Sequence, residues 1–305
     1  MTSINHNSDS DMQPGLPLAP ASRPIKVIVL FAALFIGLCL TSLLSEWGAD
    51  LFGRDNREAL LLTSAMQSLL SFILPAWICY RLMKPDPLCS LGLKRSFSVA
   101  WLLLTVLAMA VAVPALNEVI HLNESIKFSP AVDALFSQWE EQAQAMTDVM
   151  LSTDSVGGLI AGILIIGVLT GLGEEIFFRG ALQPMLVGKG VSVSGAVWIA
   201  AIVFSIMHFQ PYGFIPRVLL GAFFGYLYLW SGSIWLPATA HALNNSMVVL
   251  MTWLSKRGIS AAWYEETGVA DGFPAVALVS LAATSAVIFA IYKYSRLYGK
   301  GRRER

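Results

Sequence analysis

Residues 156–180 read VGGLIAGILIIGVLTGLGEEIFFRG and decide the fold, because they join a long apolar run to a cluster of charges. The run carries no charge before Glu174, and its length is enough to cross the hydrocarbon core of a bilayer. Glu174 and Glu175 are adjacent, and Arg179 follows one helical turn later. A charged group inside a span costs roughly 2.5–3.5 kcal/mol, so it persists where it is paired, solvated or used. The stretch therefore predicts a transmembrane helix with functional polar residues.

The rest of the chain has the composition of a membrane protein. Of its 305 residues, 56% are hydrophobic and only 13% are charged, whereas about 25% of residues in a soluble domain are charged. Lys+Arg and Asp+Glu are equal at 20 each, so the chain lacks the positive field that nucleic-acid binding requires. The three cysteines form no C-x-x-C pair, and neither a disulfide framework nor a thiolate metal site is predicted.

Apolar runs of span length recur along the sequence, and each predicts a transmembrane helix. The predicted fold class is all-α, a multi-pass transmembrane helical bundle of about eight helices. The fourth run is too long for one straight span, so we expect it to tilt or to continue along the interface. The predicted spans are 25–44, 59–82, 99–119, 156–186, 191–209, 215–230, 234–254 and 273–292.

The runs divide the chain into five parts. A polar, proline-containing N-terminus at 1–24 is predicted to be disordered. Three transmembrane helices follow within 25–120. Residues 121–155 form an acidic extramembrane loop, in which we expect a short interfacial helix. The polar residues within spans belong to 156–254, and 255–305 contains the last loop, the final transmembrane helix and a basic cytoplasmic tail.

Basic residues near the span ends predict the orientation. They concentrate in the loop between the second and third spans and in the C-terminal tail. Both regions are therefore expected on the cytoplasmic side, and an even number of spans places the N- and C-termini there together. No eukaryotic targeting signal is present, which favours a bacterial cytoplasmic membrane. The residues concerned are Arg81, Lys84, Lys94, Arg95, Lys293, Arg296, Lys300, Arg302, Arg303 and Arg305.

The two adjacent glutamates are predicted to have different roles. On a helix, Glu175 and Arg179 are four residues apart and can pair on one face, whereas Glu174 lies about 100° around the helix. Desolvation raises the pKa of a carboxyl group, which suits a general base working near neutral pH. We therefore predict Glu174 as the base, with Glu175 and Arg179 as its structural support.

Two further spans carry polar side chains. Phe204 and His208 lie in the fifth predicted span, and His241 and Asn245 lie four residues apart in the seventh. With Glu174 they supply a carboxylate, two imidazoles and a carboxamide, which can activate a water molecule and stabilise an oxyanion. Each also has a structural explanation: intramembrane His and Asn often form hydrogen bonds between helices, and Phe204 is typical of packing.

At these residues the sequence resembles the CPBP family of CAAX proteases and bacteriocin-processing enzymes. The family signature is E-E-x-x-x-R, F-x-x-x-H and H-x-x-x-N, matched here by Glu174-Glu175 to Arg179, Phe204 to His208 and His241 to Asn245. The resemblance implies that residues 156–254 form a CPBP-like catalytic core for intramembrane proteolysis. It implies that Glu174 and His208 activate water, while His241 and Asn245 stabilise the oxyanion.

The resemblance also implies a peptide or protein substrate, and the family includes enzymes that act on lipidated and membrane-associated peptides. A mechanism without a cofactor is expected. Zinc held by Glu174, His208 and His241 is the alternative, since two imidazoles and a carboxylate can bind zinc. No H-E-x-x-H motif is present.

Counting residues along the spans gives the three polar clusters different depths. Glu174 falls near the middle of the membrane, His208 near the outer end of its span and His241 nearer the inner side. A single site requires these residues to converge through tilted or broken helices.

Two other functions fit parts of the pattern. A proton-coupled transporter could use the intramembrane carboxylates and histidines as a relay, although no internal repeat is evident. A non-catalytic immunity or scaffold protein could use the G-x-x-x-G pattern of Gly221 and Gly225 to pack helices.

Overall fold

The computed structural model describes Leu18 and residues 21–269 and 274–298. The predicted disorder at 1–24 falls largely outside the described residues, as does most of the basic tail. The described residues contain long helices joined by short connections, with short helices at Pro87–Ser90, Pro211–Gly213 and Ala262–Glu265. The long helices are α1 (Arg23–Phe52), α2 (Arg57–Met83), α3 (Val99–Glu124), α4 (Pro130–Met150), α5 (Val156–Leu186), α6 (Val193–Ile206), α7 (Phe214–Ser231), α8 (Trp235–Lys256) and α9 (Ala275–Tyr298).

The predicted all-α, multi-pass bundle is confirmed. Each of the eight predicted spans corresponds to a helix, and six helices among the described residues are long and apolar enough to cross a membrane. The other two, α6 and α8, are shorter or interrupted by polar residues. Large apolar side chains face outward, as lipid contact requires; on α1, for example, Phe35 and Leu43 are 66% and 69% exposed.

The acidic segment differs from its prediction in length. The expected short helix is α4, which has 21 residues and no buried side chain. It begins after Ser129 with Pro130 in its first turn, where the missing N–H of proline leaves no hydrogen bond unmade. Helix α3 also extends to Glu124, beyond the predicted end of its span.

Local sequence sets several helix ends. The Ser155 hydroxyl accepts the N–H of Gly158 at 2.9 Å and caps α5, and Ser192 caps α6 in the same way. Helix α7 ends at Gly232, whose φ of 69° is a left-handed conformation that glycine adopts without strain.

Helix α5 carries two π-helical segments, Ile163–Thr170 and Ile176–Leu182, on either side of Gly171–Glu175. Such wide turns inside α-helices often occur at functional sites. The hydroxyl of Thr170 donates to the carbonyl oxygen of Ile165 at 3.0 Å, within the first wide segment. The helix is continuous from Val156 to Leu186, and its wider turns displace the glutamates from a regular α-helical register.

The second half of α5 lies at the centre of the bundle. Every residue of Ile176–Leu182 is buried, and Phe177 packs against the rings of Phe31 and Phe72 from α1 and α2. Gly171 permits a close approach on the other side, since a Cβ there would lie 3.2 Å from the backbone nitrogen of Ala242. The glutamates are thus placed where α5 contacts α8.

Gly37 tests the packing of α1 on α2. A Cβ at Gly37 would overlap the carbonyl oxygen of Leu70, whereas a Cβ at Gly48 on the same helix meets nothing within 4 Å. We expect Gly37→Ala to destabilise the protein by about 1–3 kcal/mol, because backbone cannot move aside easily. Gly48→Ala should be neutral or stabilising by up to about 1 kcal/mol. Unfolding in detergent measures both, and equal stabilities would contradict this packing.

Candidate active site

A buried ion pair forms the centre of the site. Arg179 Nη1 donates to Glu175 Oε1 at 2.7 Å, and both side chains are 0% exposed. The predicted pairing across four residues is confirmed. Arg179 Nη2 also donates to the carbonyl oxygen of Gly221 on α7 at 2.9 Å. The guanidinium lies 4.7 Å from the centre of the Phe204 ring, a distance at which the ring face attracts a cation.

His241 joins α8 to this pair. Its Nδ1 lies 2.8 Å from Glu175 Oε1. Because Glu175 is a carboxylate that also accepts from Arg179, the proton of this hydrogen bond belongs to His241 Nδ1. The imidazole is further held by Phe224, whose ring stacks on it at 5.2 Å with an angle of 24°. His241 Nε2 is therefore the ring nitrogen left for chemistry.

Glu174 differs from its neighbour in its partners. It is 9% exposed, and its Oε2 is buried without a hydrogen-bond partner among the described residues. The nearest imidazole atom is His241 Nε2 at 3.6 Å, longer than a hydrogen bond. Glu175 is thus committed to Arg179 and His241, while Glu174 faces the same histidine without that commitment.

His208 lies just beyond the end of α6. Its Nδ1 is 2.8 Å from the carbonyl oxygen of Phe204, so Nδ1 donates and Nε2 remains free. This hydrogen bond satisfies one of the carbonyl groups that the end of a helix leaves without a partner.

Phe204 packs between the two histidines. Its ring lies edge to face with His208 at 4.8 Å and with His241 at 5.6 Å. It also contacts Phe178 at 5.2 Å. The Phe204 ring thus packs between the two imidazoles, and its predicted role as structural support stays a prediction.

Asn245 lies one helical turn from His241 but contacts a different part of α5. Its Nδ2 donates to the carbonyl oxygen of Ile166 at 3.3 Å, in the first π-helical segment, and its Oδ1 accepts from Asn244 at 3.4 Å. Neither contact involves a carboxylate or imidazole of the site. The structure therefore brings together Glu174, Glu175, Arg179, Phe204, His208 and His241, and it places Asn245 beside them against the backbone.

The depths counted from the sequence were wrong. His241 contacts Glu175 directly and lies 3.6 Å from Glu174, although counting placed His241 nearer the inner side. Residue counting assumes straight α-helices perpendicular to the membrane. The wide turns of α5 and the close approach at Gly171 alter that register.

Sequence reasoning missed one ladder of contacts behind the site. Arg179 and Gln183, four residues apart on α5, donate to the carbonyl oxygens of Gly221 and Gly225, four residues apart on α7, at 2.9 and 3.2 Å. The signal was the G-x-x-x-G pattern, interpreted only as a surface for helix packing. Phe224, which stacks on His241, lies between these glycines and carried no signal of its own.

Within Leu18, 21–269 and 274–298, no three His, Cys, Asp or Glu side chains are grouped so that they could hold a metal ion. Zinc requires ligand atoms about 2.0–2.2 Å from the ion. The alternative set of Glu174, His208 and His241 does not fit zinc in this arrangement, and the reaction proposed for the site uses no metal.

Comparisons with known proteins concern the same part of the chain. Residues 156–247 match the family described as Type II CAAX prenyl endopeptidase Rce1-like. The uncharacterized protein YpbD of Bacillus subtilis (strain 168) is 29% identical over 92 residues, which are 29% of this chain and 44% of that protein. The chain thus matches less than half the length of this curated relative. No solved structure matches.

Arg179 should be indispensable for stability. Replacing it with methionine leaves Glu175 charged and buried, and loss of one partner from such a pair costs about 3–5 kcal/mol. The matched control is Arg54→Met, since Arg54 forms a 2.8 Å pair with Glu46 in which the side chains are 73% and 63% exposed. That change should cost about 1 kcal/mol or less. Unfolding in detergent compares them, and equal losses would contradict the central role of the buried pair.

Proposed function

We propose that this protein is an intramembrane endopeptidase that uses Glu174 to activate water, because residues 156–247 match the Rce1-like, type II CAAX prenyl endopeptidase family. The observation that carries the proposal is the unequal environment of the two adjacent carboxylates. Arg179 and His241 both hold Glu175 through its Oε1, whereas the nearest charged or imidazole nitrogen to Glu174 lies 3.6 Å away. The Oε2 atom of each carboxylate is buried without a hydrogen-bond partner among the described residues. One carboxylate supports the fold and the other is available for proton transfer.

In the proposed reaction, Glu174 takes a proton from water as the water oxygen attacks the carbonyl carbon of the peptide bond. The tetrahedral oxyanion forms, and Glu174 then returns the proton to the leaving amine nitrogen as the C–N bond breaks. His208 orients the water through its free Nε2. The separations in a substrate-free site are often long and shorten when substrate binds, so a gap of 3.6 Å beside Glu174 is compatible with this role.

His241 and Asn245 are the proposed donors to the oxyanion. Glu175 holds His241 by its Nδ1, as a carboxylate orients an imidazole in other hydrolases, and once Nε2 has also taken up a proton the imidazolium donates it as a hydrogen bond to the substrate oxygen. Asn245 would exchange its 3.3 Å hydrogen bond with the Ile166 carbonyl oxygen for one with the substrate. That hydrogen bond is at the long end of the normal range, which favours the exchange.

A large cavity beside the site supports a peptide substrate. It has a volume of about 1460 Å³ and lies between α3, α4, α7 and α8. Leu243 and Asn244, which line it, follow directly after the helical turn of His241. Met109, Val113 and Met247 give its interior an apolar surface, suited to a lipidated or membrane-embedded peptide. Within the proposal, the protein lies in a cytoplasmic membrane with both termini in the cytoplasm.

Glu174→Gln tests the base. Glutamine has nearly the size and shape of glutamate and still forms hydrogen bonds, but it cannot accept the proton. Cleavage should therefore fall about 100-fold to 10,000-fold, the range for general acid–base catalysis. Glu46→Gln, at an exposed surface pair, is the control and should cleave as the wild type does. Mass spectrometry of a peptide panel, including prenylated and membrane-embedded peptides in liposomes, measures the products.

Retained cleavage in Glu174→Gln would remove the base role from Glu174. If the wild type cleaves no member of the panel, proteolysis itself fails as the function. Proton flux in liposomes and partner capture would then test the transport and binding functions.

A chelator separates the two possible mechanisms. With the proposed metal-free reaction, prolonged treatment with 1,10-phenanthroline and removal of the chelator should leave the cleavage rate unchanged. Loss of activity that added zinc restores would establish the zinc alternative. The Glu174→Gln protein, assayed for zinc content in parallel, controls for zinc held elsewhere in the chain.

A further inference from the structure

Helix α4, which lies outside the matched residues 156–247, packs against the turn that follows His208. Trp139 meets the Phe209 ring edge to face at 5.9 Å. Glu140 Oε1 accepts a hydrogen bond from Gln210 Nε2 at 3.1 Å. Two consecutive residues of α4 thus contact the two residues directly after His208.

The backbone of this turn has an unfavourable conformation. Phe209 has a φ of 52°, and it is the only non-glycine residue among those described with a positive φ. Left-handed backbone is strained for a bulky side chain and persists only where the surroundings enforce it. The Phe209 side chain is 63% exposed, so burial in the core does not enforce it. Contacts from α4 fall on this residue and its neighbour, beside the hydrogen bond of the Phe209 N–H to the Ile206 carbonyl oxygen at 3.1 Å.

A second group completes the connection. Arg217, at the start of α7, donates through Nη1 to Gln210 Oε1 at 3.3 Å and through Nη2 to the Gln210 carbonyl oxygen. Glu140 and Arg217 therefore hold Gln210 from two helices, at both its side chain and its backbone.

We infer that α4 positions His208, and that Glu140 is a positioning residue which acts through Gln210 to hold the turn at Phe209. The inference rests on the proposed function for its catalytic consequence. Nδ1 of His208 is fixed on the Phe204 carbonyl oxygen. The direction of the free Nε2 therefore depends on the backbone of the turn. We call this contact of Glu140 with Gln210 the clamp. Its loss would displace His208 without altering Glu174, Glu175 or His241.

The test compares Glu140→Ala with Glu141→Ala in the full-length protein. Glu141 is the adjacent carboxylate on α4 and is exposed. Glu140→Ala should increase amide hydrogen exchange in residues 207–213 severalfold and lower kcat about 10-fold to 100-fold, the scale of a misplaced catalytic group. KM should stay within about twofold, since a positioning role changes the chemical step. Glu141→Ala should change none of the three.

Gln210→Ala tests the connection from the other end. If Glu140 acts through Gln210, the double variant should be no slower than Gln210→Ala alone, because residues in one hydrogen-bonded network are not additive. If the losses in kcat of the two single variants multiply in the double variant, Glu140 does not act through Gln210.

The two proposals fail separately. Unchanged exchange at 207–213 in Glu140→Ala overturns the clamp, and increased exchange with unchanged kcat overturns its positioning role. Increased exchange in a protein whose wild type cleaves nothing supports the clamp and rejects the protease function. Increased exchange throughout the bundle would mean that Glu140 supports the whole fold, which also overturns the inference.

Discussion

The ion pair of Glu175 and Arg179 is the interaction on which the rest of the structure depends. Both side chains are fully buried in a bundle whose outer surface is apolar. Such a pair loses the hydration of two ions, and its mutual attraction compensates only where further hydrogen bonds satisfy the remaining groups. Here two such hydrogen bonds come from α7 and α8, through the Gly221 carbonyl oxygen and His241, while Glu175 Oε2 and Arg179 Nε have no hydrogen-bond partner among the described residues. The pair therefore requires three helices to lie together at one point.

Small residues make that convergence sterically possible. A Cβ at Gly221 would lie 3.1 Å from Arg179 Nη2, and one at Gly225 would lie 2.8 Å from Gln183 Oε1. A larger side chain at either position would have to displace Arg179 or Gln183, the side chains that donate to the carbonyl groups of α7. The G-x-x-x-G pattern thus serves polar recognition as well as helix packing, which is consistent with the value of backbone hydrogen bonds in an apolar solvent.

The sequence predicted those features that depend on spacing within one helix. The apolar runs determined the spans, and the separation of four residues determined the Glu175–Arg179 pair. It did not reveal that His241 would bond to Glu175, because that contact joins residues 66 apart and depends on the packing of α5 on α8. The depths counted for the polar clusters were wrong for a related reason. They depend on the π-helical turns of α5, which leave no simple pattern in the sequence. The length of α4 was underestimated because its sequence mixes polar and apolar residues and contains no long apolar run.

Adjacent placement of two glutamates also explains how one helix combines stability with reactivity. Neighbouring residues on a helix point about 100° apart, so Arg179 can engage Glu175 without reaching Glu174. Glu175 pairs with Arg179 and orients His241, and both roles require a carboxylate held in a fixed position. Glu174 shares the buried surroundings without those partners, which suits it to the proton acceptor of the proposed function. Under the proposed function a single carboxylate would meet both demands poorly, because a proton taken up by the anchoring carboxylate would remove the charge that pairs with Arg179.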